Sequence, residues 1–174
     1  MNYIKDVSLR LNNEIYNMIV EIPKGTNKKF ELVEPNFDKV ECVRKVKGKY
    51  PFYYGCFPQT YAGDKDPLDA ILLTNKTLHS LDIERVVPIA VIKTIDNNEI
   101  DDKVICVSYD EVVYIDLDKL LKPVYKFLKS YKGRHPNMYI DEIPYDESVA
   151  RTLIENANKN YLVLNLLENN IKSF

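Results

Sequence analysis

The sequence predicts an α+β fold: a small closed antiparallel β-barrel flanked by two or more α-helices. Three observations carry that prediction. Short β-branched and aromatic runs fill the first two thirds of the chain. Gly, Pro, Asn and Asp punctuate those runs as turns do. From Leu117 onward the apolar period lengthens to that of a helix. Strands followed by helices in one chain of this size favour a barrel with helices on its outside.

Residues 1–15 are mixed and polar and lead into the fold. Tyr16-Asn17-Met18-Ile19-Val20-Glu21-Ile22 is a strand, stopped by Pro23-Lys24-Gly25. Lys28-Lys29-Phe30-Glu31-Leu32-Val33 alternates charged and apolar residues, so Lys29 and Glu31 share its polar face. The two segments are expected to pair as a hairpin around the Gly-containing turn. Val40–Val46 is a third strand, broken by Lys47-Gly48-Lys49. An aromatic, proline-bounded segment runs from Tyr50 to Pro58. Most of its rings are expected to pack in the core, with one or two phenols turned into a site.

Arg85–Ile95 reads as a long strand and Lys103–Val107 as its return, with the acid-rich turn Asp96–Asp102 at the tip. Leu117, Leu120, Leu121, Val124, Leu128 and Tyr131 follow helical spacing. Asp116 or Asp118 is the expected cap, and Gly133 the expected stop. Pro123 inside the pattern predicts a kink or a late start. A second helix is expected from near Ser148 through Asn158, with the apolar tail Tyr161–Ile171 as further helix or packed on a neighbour.

At 174 residues the chain suits one domain, 1–174, with a real core. Lys and Arg number 24 against 26 Asp and Glu, a net charge of −2, with no block of like charge. That balance gives no support to a general nucleic-acid or anionic-membrane surface. Cys42, Cys56 and Cys106 are odd in number and scattered, as free thiols in a reducing compartment are. His79 and His135 are the only histidines, which supplies a zinc site or a His-based nucleophile poorly. No apolar run approaches a membrane span and the N-terminus has no signal peptide, so the expected compartment is the cytoplasm.

The chemistry centres on Asp64-Lys65-Asp66-Pro67-Leu68-Asp69. Three carboxylates in six residues, with Pro67 excluding a central strand, read as a loop or strand end presenting acids to one point. On its own this stretch reads as a solvated turn before it reads as a metal site. The rest of the chain changes the balance. Acids recur at strand ends and tips (Glu21, Glu31, Asp96, Asp101), beside Lys29, Arg44, Lys103 and Lys132 and the phenols of Tyr54 and Tyr131. A phosphate-rich anion carried with divalent metals needs both kinds of group: carboxylates for metal, cations and phenols for phosphate oxygens.

With these residues in place the chain resembles the soluble inorganic pyrophosphatases of family I. Asp64-Lys65-Asp66-Pro67-Leu68-Asp69-Ala70 matches the family's Asp-x-Asp-Pro-apolar-Asp signature. Glu21-Ile22-Pro23, Lys29-Phe30-Glu31, Arg44, Tyr54-Gly55, the turn with Asp96, Asp101 and Lys103, and Tyr131-Lys132 match further family positions in order. The match runs from about Glu21 to Lys132. The departures are Lys65 at a usually small or polar position, Tyr53 before Tyr54, a shorter stretch between Arg44 and Tyr54, and Pro123 in the helix.

The resemblance implies an OB-like barrel and Mg2+-dependent hydrolysis of pyrophosphate to two orthophosphates by direct attack of a metal-bridged hydroxide. It implies several Mg2+ per site, with Mn2+ or Zn2+ as substitutes. The first metal falls to Asp64, Asp69 and Asp101, and a second shares Asp69. Asp96 and Asp101 serve a metal arriving with substrate, and Glu31 serves a further one. Asp66 is the general base, and Glu21 supports the metals indirectly. Lys29, Arg44, Tyr54, Lys103, Tyr131 and Lys132 bind the phosphates. By the same resemblance the expected partners are pyrophosphate, phosphate and other copies of the chain, a hexamer favoured over a dimer. Two rival readings are a barrel that binds nucleic acid, which needs a basic groove, and a degenerate family member that senses phosphate or metal.

Overall fold

The computed structural model describes residues 1–64, 66–111, 116–131, 138–141 and 144–171, the last four of these as backbone. In chain order the strands are β1 (Tyr16–Ile22), β2 (Lys28–Leu32), β3 (Val40–Lys45), β4 (Tyr53–Cys56), β5 (Asp69–Leu73), β6 (Ile83–Ile92), β7 (Thr94–Asp96), β8 (Glu99–Ile100), β9 (Lys103–Ser108) and β10 (Met138–Ile140). A 3₁₀ turn covers Tyr109–Glu111, and the helices are α1 (Leu117–Leu128) and α2 (Glu147–Ile171).

The barrel closes in the order β1-β4-β5-β9-β6, with β6 returning to β1. It is a mixed barrel. β5 and β9 run parallel, with Ala70 opposite Val104 and Leu72 opposite Cys106, while the other barrel pairs are antiparallel. A parallel pair needs a long crossover. The chain between them supplies it through β6 and the β7–β8 hairpin. The expected closed barrel with flanking helices is present, and this seam is its one departure from antiparallel pairing.

The expected β1–β2 hairpin does not form. Both edges of β1 are taken, by β4 and β6, so β2 pairs instead with β3 in a separate two-stranded sheet. At the other end, β10-β7-β8 makes a three-stranded sheet. Its hairpin turns through Asn97 and Asn98, with φ of 52° and 69°. Consecutive left-handed residues suit a two-residue hairpin loop, and asparagine tolerates them.

Alternate residues of the barrel strands feed two cores, which explains why these strands read as nearly continuous apolar runs. Met18, Val20, Leu72, Val86 and Cys106 meet Ala150, Ile154 and Ala157 of α2. Ile22, Ile71, Ile92 and Ile105 meet Leu121, Val124, Phe127 and Leu128 of α1. Asp116 caps α1 by accepting from Lys119 N at 3.1 Å. The helix starts at Leu117 and continues through Pro123, so the proline does not delay its start. α2 is one helix from Glu147 to Ile171, which joins the expected second helix and the tail. Asp146 accepts from Ser148 N and Val149 N at its start.

Gly55 shows how tightly β4 lies on β1. A Cβ there would stand 1.8 Å from the Ile19 carbonyl oxygen. Only glycine permits that approach. Among the described residues, no helix is long and apolar enough to cross a membrane.

Candidate active site

The acidic stretch is held at its foot by a buried threonine. Thr60 Oγ1 donates to Phe57 O at 2.7 Å and accepts from Leu68 N at 3.0 Å. Ala62 N donates to Asp66 O at 2.8 Å, and Asp66 N donates to Asp64 Oδ1 at 3.0 Å. These bonds hold Ala62, Asp64 and Asp66 close together, and Asp64 and Asp66 line a cavity of about 410 Å³. Asp69 opens β5 and reaches the same space. Asp64, Asp66 and Asp69 thus line one cavity from a turn and from the strand that follows it.

The parallel seam brings the second half of the site to Asp69. Because Ala70 lies opposite Val104, Asp69 sits beside Lys103. Lys103 is 1% exposed, and its Nζ donates to Asp69 Oδ2 at 2.6 Å and to Asp101 Oδ1 at 2.7 Å. Tyr54 OH donates to the same Asp69 oxygen, and the ammonium lies 5.6 Å from the centre of the Tyr54 ring. Burial alone would lower the Lys103 pKa, but Asp69 and Asp101 override it and hold the ammonium protonated. Burial would raise Asp69, and Lys103 with Tyr54 holds it below the usual range instead. Asp101 is pushed up, by burial first and by Asp69, with Lys103 opposing.

β2 forms another wall. Lys29 and Glu31 both line the cavity and form an ion pair, as their shared face predicts. Arg44 reaches that side through a bulge. Phe30 pairs with Cys42 but Lys29 pairs with Arg44, so Val43 is an extra residue in β3. A regular strand would place Arg44 on the face of Cys42. The bulge shifts it to the face of Lys29 and Glu31. Arg44 stands beside the cavity, outside its lining, with Cζ 6.0 Å from the centre of the Tyr131 ring.

Glu21 is also a bulge residue, between Val20 opposite Gly55 and Ile22 opposite Tyr54. Its Oε1 accepts from Leu32 N at 2.8 Å, tying the end of β2 to the barrel. Burial, aided by Asp69 and Glu31, pushes its pKa up to about 8, with the Leu32 bond opposing. Asp66 is raised too, by burial first and then by Asp64 and Asp69. Asp96 lines the cavity from the end of β7, and Tyr131 from the end of α1, its phenol pushed up by burial to about 12. The expected phosphate-binding residue Lys132 lies outside the described residues, as do Lys65, Gly133 and His135. His79 is at the surface, its Nδ1 3.7 Å from Asp82.

Sequence reasoning missed several wall residues. Tyr50 is 3% exposed, lines the cavity and packs its ring 4.5 Å from that of Phe127. Nothing in the aromatic segment distinguished it from Phe52. Glu34, Asn97, Glu99 and Asp102 line the mouth, and Phe30, Leu32 and Phe37 give it an apolar flank. For Asp102 the available signal was its place directly after Asp101.

The donor set fits hard divalent cations. Asp64, Asp69, Asp96 and Asp101 offer only oxygens to one cavity, and Asp101 is raised in part by its acidic neighbour Asp69. Among the described residues, no three such side chains already enclose one point. The ammonium of Lys103 stands between Asp69 and Asp101 instead.

Residues 18–162 match the family model described as inorganic pyrophosphatase. An inorganic pyrophosphatase of Picrophilus torridus is 33% identical over 129 residues, covering 69% of this chain and 72% of that one. One from Nanoarchaeum equitans is 31% identical over 158 residues, covering 85% of this chain and 98% of that one. The crystal structure of type I inorganic pyrophosphatase from Toxoplasma gondii superposes with a TM-score of 0.85, covering 94% of this chain and 88% of that one. At 22% identity that likeness speaks for the fold. The chain belongs to the family I inorganic pyrophosphatases and is an inorganic diphosphatase, a hydrolase of the pyrophosphate anhydride.

Proposed function

We propose that the cavity hydrolyses pyrophosphate to two orthophosphates in an Mg2+-dependent reaction, by direct attack of water-derived hydroxide without a phosphoenzyme. The observation that supports it most is the junction at Asp69, where a carboxylate, a buried ammonium and a phenol converge. Asp64, Asp69 and Asp101 would hold the first ion and share Asp69 with a second, while Asp96, Asp101 and Glu31 would hold ions that arrive with substrate. Bound there, Mg2+ would supply a nucleophile at neutral pH and offset the charge of the anion. Mn2+ and Zn2+ are expected substitutes, being able to take oxygen ligands.

Asp66 takes the proton of the attacking water. Its raised pKa suits a base better than that of an ordinary carboxylate, and the Asp64 bond to its backbone fixes its place. Lys29, Arg44, Lys103, Tyr54, Tyr131 and Lys132 bind phosphate oxygens and stabilise charge on the leaving phosphate. For that, Lys103 and Tyr54 exchange part of their hold on Asp69 for the substrate. Glu21 supports the wall through Leu32.

The enzyme works in the cytoplasm as one domain and as a homo-oligomer, the hexamer favoured over the dimer. Exposed Leu162, Val163, Leu166 and Leu167 lie on the side of α2 opposite its buried stripe of Ala150, Ile154, Ala157 and Tyr161, which supports contact between copies. The acid-rich cavity disfavours nucleic acid. Phosphate release from pyrophosphate is the assay. It should stop in EDTA and return with Mg2+, and activity that persists in EDTA would remove the metal from this reading.

A further inference from the structure

Asp101 and Asp102 are adjacent aspartates with different surroundings. Asp101 turns its carboxylate to Lys103. Asp102 also reaches the cavity wall, yet its Oδ1 accepts from the backbone N–H of Thr94 at 3.1 Å. Thr94 is 1% exposed and answers with two more bonds. Its carbonyl accepts from Asp101 N at 2.9 Å, and its Oγ1 donates to Asp101 O. The same Asp101 carbonyl accepts from Lys103 Nζ at 3.2 Å. One threonine thus binds two consecutive aspartates through both backbone and side chain.

The clasp lies where the β7–β8 hairpin leaves the barrel. Beyond it stand Asp96, Asn97 and Glu99, which line the cavity. Between its own two strands the hairpin is short, with Ile95 opposite Ile100 and Asp96 opposite Glu99, while β10 covers the other edge of β7. Two such pairs are a weak anchor by themselves. β10 pairs with Thr94 and Asp96 but not with the returning strand, so the bonds to Thr94 are what tie Asp101 to β7 and set the spacing of the Asp96 and Asp101 carboxylates.

We propose that Asp102 and Thr94 are positioning residues that lock the base of this hairpin, presetting Asp96 and Asp101 for Mg2+, with Asp102 acting as a hydrogen-bond acceptor and not as a ligand. The inference rests on the metal-dependent reading of the cavity. It assigns Asp102 a role set by its amide partner, so the oxygen matters and the charge does not. The charged groups near it are Lys93, whose Nζ lies 4.2 Å from the Tyr145 ring centre, and Lys103, which is engaged by Asp69 and Asp101.

The test compares Asp102→Ala with Asp102→Asn in the full chain. Amide exchange at Thr94 and Asp101 is measured in EDTA, and the Mg2+ concentration for half-maximal phosphate release is measured separately from kcat. Asp102→Ala should speed exchange at Thr94 and raise the Mg2+ requirement, each by about fivefold to tenfold, the scale of one net hydrogen bond. Its kcat at saturating Mg2+ should change much less. Asp102→Asn keeps an acceptor and should restore both readings. Thr94→Ser, which keeps the clasp, and Thr94→Val, which removes the hydroxyl bond, repeat the comparison from the other side if Asp102→Ala folds poorly. Wild-type exchange and Mg2+ requirement in Asp102→Ala would overturn the proposal, and so would an Asp102→Asn variant as impaired as Asp102→Ala. The exchange reading needs no turnover. An inactive wild type with an intact clasp would therefore count against the cavity reading and leave the clasp itself standing.

Discussion

The Nζ of Lys103 stands 2.6 Å from Asp69 Oδ2, at the parallel seam of β5 and β9. It also bonds Asp101, so one buried ammonium holds together two carboxylates that the proposed reaction would use for metal. On the proposed function, Lys103 and a divalent ion would compete for the same oxygens and both would bind phosphate.

Lys103→Met separates those roles. In EDTA it should lose a few kcal/mol, below the ~3–5 kcal/mol for breaking a fully buried pair. The discount arises because Asp69 and Asp101 keep 26% and 24% side-chain exposure. Mg2+ should then raise the melting temperature of the variant more than that of the wild type. Turnover should fall by about 10²-fold with the phosphate contact gone. Equal Mg2+-induced shifts in both proteins would contradict the competition.

Asp66→Asn should lower kcat by about 10²-fold or more while leaving Mg2+ binding in place, because it removes a base and not a ligand. Asp101→Asn should lower turnover on a similar scale and weaken Mg2+ binding as well. Calorimetry beside steady-state kinetics tells the two apart. Near-wild-type turnover in either variant would contradict its assigned role.

Gly55→Ala should fail to fold or lose more than about 4 kcal/mol, in the range reserved for severe core and backbone conflicts. The conflict is with backbone, the Ile19 carbonyl at 1.8 Å from the new Cβ, and no rotamer can relieve it. Denaturant unfolding checks this, and a stable Gly55→Ala barrel would show that β1 and β4 can separate.

Glu21 gives a pH dependence with a definite sign. Its folded-state pKa is raised from 4.5 to about 8, chiefly by burial. Between those values the folded chain keeps a proton that the unfolded chain has released. The stability contributed is whole below the unfolded value and is lost as pH rises through the folded one. Glu21→Gln keeps the acceptor for Leu32 N but carries no such loss. In EDTA its melting temperature should gain on the wild type from pH 5 to about pH 8. A constant difference across that range would contradict the burial of an ionisable Glu21.

Local features were legible in the sequence. The alternation of Lys29, Phe30 and Glu31 gave the right faces, and the helical spacing from Leu117 gave α1 with its cap narrowed to Asp116 or Asp118, of which the structure uses Asp116. The acid stretch was legible as a turn, and only its neighbours made it a site. Pairing was not legible, because periodicity shows which face a residue takes and not which strand lies beside it. Hence the parallel β5–β9 seam, on which the Lys103–Asp69 contact depends, and the choice of β3 over β1 as the partner of β2 came only from the structure. The bulges at Glu21 and Val43 were hidden for the same reason, since each is defined by the opposite strand. Asp102 looked like one more acid in a tip, and its backbone partner lies eight residues away.

The central claim is that Asp69 is where metal and substrate chemistry meet. Calorimetric titration of Mg2+ into the metal-free protein, wild type beside Asp69→Asn, tests it without turnover. Saturable binding in the wild type that is lost in Asp69→Asn is the predicted result. Equal binding in both proteins, or none in the wild type, would contradict it.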